Sequence, residues 1–249
     1  MKGATIKVYK FPPIIEAVCE FQFVPSQPWD LTVPGRFYDM VKSDYPNSEQ
    51  QTRVDFEFRQ GDLKEASAGL RTTPITRLLS KDGKALVQIG PDTLSINKLK
   101  PYKTWPDYFS SIKKILKIYN STFHPKGYKR IGLKYVNKID FDQKMIEPED
   151  YFNIYPVVPK ELAEDYFNLR MHAELPYDET DRMILQLILV PPSRPDQISM
   201  VLDLDYVLTK QGAVKIGESE EWLKKAHTRI EDAFEKCINE KTRNILDGK

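Results

Sequence analysis

Cysteine, histidine and long apolar runs are all scarce in this 249-residue chain. Two cysteines, Cys19 and Cys237, are too few and too far apart for a disulfide framework or a zinc cage, so packing must supply the stability. Three histidines, His124, His172 and His227, are the only imidazoles that could act as bases or metal ligands, and none stands in a recognised setting. The chain has no G-x-S-x-G, H-E-x-x-H, G-x-x-x-x-G-K-[ST] or G-x-G-x-x-G, and therefore no motif that states a reaction. No run approaches the roughly 18 apolar residues of a membrane span, and the start of the chain lacks an apolar signal-peptide core. These absences lead to the expectation of a cytoplasmic protein without membrane contact, cofactor or metal.

Excess charge is missing too. Thirty-seven Lys and Arg face 36 Asp and Glu, a balance that argues against a wholesale polyanion binder. The near-zero total hides an uneven distribution. Residues 98–138 carry eleven Lys and Arg against Asp107 alone, whereas residues 140–181 carry twelve Asp and Glu against Lys144, Lys160 and Arg170.

What the chain does have is apolar periodicity, with 41% apolar residues and enough length for a sizeable core. In Glu16 to Val24, Ala17, Cys19, Phe21 and Phe23 alternate with Glu16, Val18, Glu20 and Gln22, which predicts a strand with one buried face. A short helix over Leu31 to Lys42 and a strand around Val54, Phe56 and Phe58 follow. Asp82-Gly83 and Gly90-Pro91-Asp92 then turn a three-stranded meander between Ile75 and Leu99. Trp105, Tyr108, Phe109, Ile112, Ile115, Leu116 and Tyr119 step by three and four, the stripe of a long amphipathic helix. After a break at residues 121–128 the order repeats: a strand over Arg130 to Asp140, a short helical segment at Pro148 to Asn153, and strands at Tyr166 to Leu175, Met183 to Val190 and Ile198 to Leu208. A closing helix runs from Glu218 to Asn239. The fold class expected is α+β, with antiparallel sheet and two long amphipathic helices. The order fits a tandem duplication with halves 1–123 and 124–249, and it equally fits one compact α+β domain with meanders.

Phe11-Pro12-Pro13-Ile14-Ile15-Glu16-Ala17-Val18-Cys19-Glu20 resembles the opening segment of a sporadically distributed prokaryotic family of unknown function. Leu86 to Asp92, Tyr102 with Trp105, Ile131 to Ile139 and Leu202-Asp203-Leu204-Asp205 are similar to its later landmarks, in the same order and over nearly the whole chain. The resemblance implies no activity, catalytic residue or cofactor. The family's patchy distribution implies an accessory component of a prokaryotic defence or mobile-element system.

Two groups of residues are candidates for a site. Asp203 and Asp205, two apart on a strand, share a face about 7 Å apart, near enough to hold a cation or divide acid and base roles, or simply to pair with Lys of a neighbouring strand. In the basic block, Arg130, Lys134 and Lys138 share one strand face, and Lys113, Lys114 and Lys117 line the outer side of a helix. Interleaved with Tyr102, Trp105, Tyr119, Phe123, Tyr128 and Tyr135, they could hold phosphates and stack bases, or pair internally with the acidic block. The reading favoured is a non-catalytic binding module with a protein partner or a second copy of itself. Its alternatives are a nucleic-acid-contacting subunit using residues 98–138 and an enzyme using Asp203 and Asp205.

Overall fold

A computed structural model describes residues 8–58, 68–159, 161 and 168–249, with side-chain environments outside 53–58 and 68–71. The strands are β1 (Ile14–Val24), β2 (Asn47–Phe58), β3 (Ala68–Leu79), β4 (Ala85–Ile89), β5 (Thr93–Leu99), β6 (Gly127–Phe141), β7 (Arg170–Pro176), β8 (Asp181–Val190) and β9 (Ile198–Leu208). The helices are α1 (Val33–Val41), α2 (Trp105–Phe123), α3 (Ser219–Cys237) and α4 (Glu240–Asp247). The nine strands form one antiparallel sheet in the order β2-β3-β4-β5-β1-β6-β9-β8-β7. The protein is therefore α+β, and both halves of the chain contribute to a single sheet through the β1–β6 pairing. No helix among the described residues is long and apolar enough to cross a membrane.

Local sequence explains the framework. At Asp82-Gly83, Gly83 takes φ +68° while the Asp82 carboxylate accepts from the Lys84 amide and the Ser80 hydroxyl, closing the β3–β4 hairpin. Thr104 caps α2 by accepting from the Asp107 amide, and Pro106 sits in the first turn. His124 ends that helix in the left-handed region at φ 44°. In place of one closing helix from Glu218 to Asn239, α3 stops at Cys237. Ile238 is extended and bridges to Phe152, and Asn239 caps a separate helix, α4, by accepting from the Lys241 and Thr242 amides. The expected helical segment at 148–153 is a single 3-10 turn, Pro148–Asp150. The strand expected from Tyr166 begins at Arg170 in β7, and residues 162–167 lie outside the described set. Likewise the alternation of Val54, Phe56 and Phe58 falls on side chains outside that set, although the backbone there is β2.

All four helices feed one core against one face of the sheet. Ala17, Cys19, Phe21 and Phe23 of β1, Ile131, Leu133 and Tyr135 of β6, and Leu202, Leu204 and Tyr206 of β9 meet Phe37, Ile112, Ile115, Tyr119, Leu223 and Ile230 there. Phe23 stacks on Tyr119 at 4.5 Å between centroids and touches Tyr128 at 5.4 Å. Both cysteines are buried and free, and burial pushes the Cys237 thiol up to about 11. Among the described residues, the one carboxylate with a fully buried side chain on this face, Asp181, accepts from Trp222 Nε1 at 2.9 Å and Tyr206 Oη at 3.1 Å and pairs with Lys225, tying α3 to β8 and β9. His227 is buried in this layer. It stacks on Trp105 at 4.1 Å and links Glu231 Oε1 at 3.2 Å to Tyr135 Oη at 3.3 Å.

Candidate functional site on the helix-free face

Strand alternation sends every second residue of the central strands to the face no described helix covers. The register aligns them in rows across β1, β6 and β9: Glu20, Gly132 and Val207; Val18, Lys134 and Asp205; Glu16, Val136 and Asp203. On β5, Ser95 lies beside Glu20 and Asn97 beside Val18. The face is concave. Gln51 and Thr52 of β2 share a cavity of about 180 Å³ with Glu20 of β1, Ile75, Gln88, Thr93 and Ser95. In a flat sheet β1 and β2 would stand about 19 Å apart at roughly 4.8 Å per strand. The sheet must therefore curl towards its polar side.

Six charges from three strands meet at the middle of that concavity. Arg130 donates to Glu20 Oε1 on β1 at 3.0 Å and to Asp205 Oδ2 on β9 at 3.1 Å, so its guanidinium spans β6 from one neighbour to the other. Gly132 makes this possible. A Cβ there would stand 2.9 Å from Arg130 Nη1 and 3.2 Å from Nη2, so the guanidinium occupies the volume a side chain would fill. Lys134 lies 3.5 Å from Asp203 Oδ2 and 3.9 Å from Asp205 Oδ2. On the β1 side, Asn97 donates to Glu16 Oε1 at 2.7 Å, Ser95 donates to Asn97 Oδ1 at 2.8 Å, and Gln22 donates to Glu20 Oε1 at 3.1 Å. The second concave-face glycine works the same way, for a Cβ at Gly90 would occupy the place of Ile75 Cδ1.

The electrostatics favour carboxylate. Among the described residues of the cluster, the four carboxylates Glu16, Glu20, Asp203 and Asp205 stand with the two cations Arg130 and Lys134. The aspartate side chains are only 13% and 11% exposed, far less than an open strand face would leave them. Burial raises the carboxyls of both Asp203 and Asp205 above the usual range, outweighing the attraction of Lys134 and, for Asp205, of Arg130. Asp203 Oδ1 is buried without a hydrogen-bond partner among the described residues. No three His, Cys, Asp or Glu among the described residues are arranged to hold a metal ion.

The structure brings Arg130, Lys134, Asp203 and Asp205 into one network and leaves the other candidates apart. Lys138 lies on the same strand face but bonds Ser193 Oγ at 2.8 Å and pairs with Asp140 at 3.5 Å. Lys113 and Lys114 reach Glu220 at 3.8 Å and Asp44 at 2.5 Å from the outer side of α2, and Lys117 is exposed there. The helical lysines and those of β6 are on opposite sides of the sheet and do not form one surface. Among the described residues, the acidic partners of these cations other than Asp140 come from outside residues 140–181. The chemistry available at the centre is multidentate hydrogen bonding and ion pairing.

Sequence reasoning missed Glu16, Glu20, Ser95, Asn97, Gln88 and Gly132. Glu16, Glu20 and Gln22 were in view as the polar half of an alternating strand. That alternation normally marks a solvated face, and only the placement of β1 at the centre of a curled sheet makes it something else. No family model matches the chain, and no curated protein matches it in sequence.

Proposed function

We propose that the protein is a non-catalytic binding module whose ligand seat is the concave, helix-free face centred on Gly132. The observation that carries this reading is the network of Glu20, Arg130, Asp205, Lys134 and Asp203 in the three middle strands. Partly buried ion pairs of this kind contribute little to stability compared with apolar residues of similar size, because desolvation offsets most of their attraction. A sheet that needed only to fold would do better with Val or Ile at these positions. Local departures from the best folding choice are expected where a surface has another task.

The seat lies on the seam between the two parts of the chain. β1 and β6 are the first strands of their halves, each is flanked by the last strand of its own half, β5 or β9, and the two pair with each other. This mirrored order supports a tandem duplication in which α2 and α3, 19 residues each, are the equivalent long amphipathic helices. A seam site is made by both halves and is complete in neither.

A titration of the full isotope-labelled chain, followed by nuclear magnetic resonance, tests the proposal. The probes are agmatine as a cation, inorganic tripolyphosphate as an anion and glucose as a neutral polyol. Binding should shift the amides of Glu20, Gly132, Lys134 and Asp205 before those of α2 or α3. Shifts confined to the helical side, or none with any probe, would overturn it.

A further inference from the structure

We propose that the outer edge of β7 pairs with the same edge of a second copy of this chain, joining two sheets across a two-fold axis at His172. The inference is independent of the ligand seat. β7 ends the sheet, with no strand beyond it among the described residues. The direction of its backbone groups follows from its two ends. Leu189 donates to the Leu169 carbonyl and Tyr177 to the Asp181 carbonyl, in a ladder that sets Met171 against Leu187 and Ala173 against Leu185. The odd-numbered residues therefore exchange hydrogen bonds with β8, and the N–H and C=O groups of Arg170, His172 and Glu174 point away from it. Pro176, next in that outward series, has no N–H and ends it.

Unpaired strand edges are commonly blunted by charge. Here the charges are of both signs and lie symmetrically about His172. An antiparallel partner centred on His172 satisfies the outward groups of Arg170, His172 and Glu174. It also sets Arg170 opposite Glu174 of the other copy, at about 5.5 Å between Cα atoms, and the axis repeats the pair. No other register of the outward residues brings these two together. Arg170 is exposed and has no ion-pair partner among the described residues. Glu174 pairs with Arg182 and, at 3.5 Å, with His172, which leaves its carboxylate room for a further donor. On the helical side the same register sets Leu175, 43% exposed, opposite Leu169, and Met171 opposite Ala173, so the apolar layer continues across the junction.

Sedimentation equilibrium of the full chain from roughly 1 μM to 1 mM, a range suited to a small interface, tests the inference together with amide hydrogen exchange. Dimer should form as concentration rises. The amides of Arg170, His172 and Glu174 should gain protection with it, while those of Met171 and Ala173 are protected throughout. Arg170→Glu and Glu174→Arg should each weaken association at least about fivefold, because the axis doubles every like-charge contact. Mixed in equal amounts, the two variants should associate again, an acidic edge against a basic one, and this rescue distinguishes lost pairing from a folding defect. A chain that stays monomeric over the whole range, an affinity blind to both reversals, or a mixture that does not associate would overturn the inference. So would protection of the three amides at the lowest concentration, which would mean an edge already covered within the chain.

Discussion

The two faces of the one sheet solve the burial problem in opposite ways. On the helical face, Ala17, Cys19, Phe21 and Phe23 of β1 are 0–1% exposed and pack against aromatic and aliphatic side chains from the helices. Their neighbours on the other face, Glu16, Val18, Glu20 and Gln22, are partly buried by the curl of the sheet itself; Asn97 and Arg130 reach Glu16 and Glu20 from the adjacent strands, and Gln22 donates to Glu20 along β1. One side chain along the same strand separates a packed core from a polar concavity. The core face should therefore be sensitive to volume, whereas the concave face should be sensitive to charge and hydrogen bonding.

The largest effect expected is on the core side. Phe23→Ala removes a ring that meets Phe21, Tyr119 and Tyr128, and should cost about 3–5 kcal/mol in urea denaturation. A loss below about 1 kcal/mol would mean that this side is not the packed face. On the concave side, Arg130→Met leaves Glu20 and Asp205 without the guanidinium that joins them. Because these groups are partly solvated, the cost should be smaller, about 1–3 kcal/mol. An increase in stability would show that desolvation of the arginine outweighs both pairs.

Gly132→Ala should cost about 1 kcal/mol, since only the flexible end of Arg130 has to move. The informative quantity is its coupling. In a double-mutant cycle with Arg130→Met the two losses should fall short of additive, because the methyl group acts by displacing the guanidinium. Simple additivity would show that Gly132 matters for another reason.

The smallest effect concerns pH, and its sign separates two opposing terms. Burial raises the Asp203 carboxyl despite Lys134, so the folded state holds that proton more tightly than the unfolded chain does. The stability linked to it is fully present below the ordinary carboxylate range, near about 4, and is lost as pH rises through the raised folded value. Asp203→Asn is uncharged throughout, so it should gain on the wild type between pH 4 and pH 7 in matched urea melts. A variant that lost ground over that range would place the attraction of Lys134 above the desolvation.

Much of the fold was legible because it is written in local periodicity. The alternation around Cys19 and Phe21, the Asp82-Gly83 turn and the three-and-four spacing from Trp105 to Tyr119 each constrain one element through its own geometry. The break between α3 and α4 was less legible. It depends on the Phe152–Ile238 bridge, a contact between distant segments, although Asn239 followed by Glu240 is the kind of capping signal that could have marked it. Of the site, Arg130, Lys134, Asp203 and Asp205 were visible as charged residues on strand faces, and pairing of the aspartates with a neighbouring strand's lysine was one of the readings; that the strand would be β6, the lysine Lys134, and that Arg130 would join Asp205 to Glu20 was not.

By itself the sequence determined that β1, β6 and β9 would each have one apolar and one polar face, because side-chain direction along a strand has a period of two. Only the tertiary structure decided what the polar faces do. Strand order placed β6 between β1 and β9, register set Gly132 beside Glu20 and Lys134 beside Asp205, and curl reduced the exposure of all of them. None of these is a local property. Each depends on which distant strands become neighbours and on how the sheet bends towards its polar side.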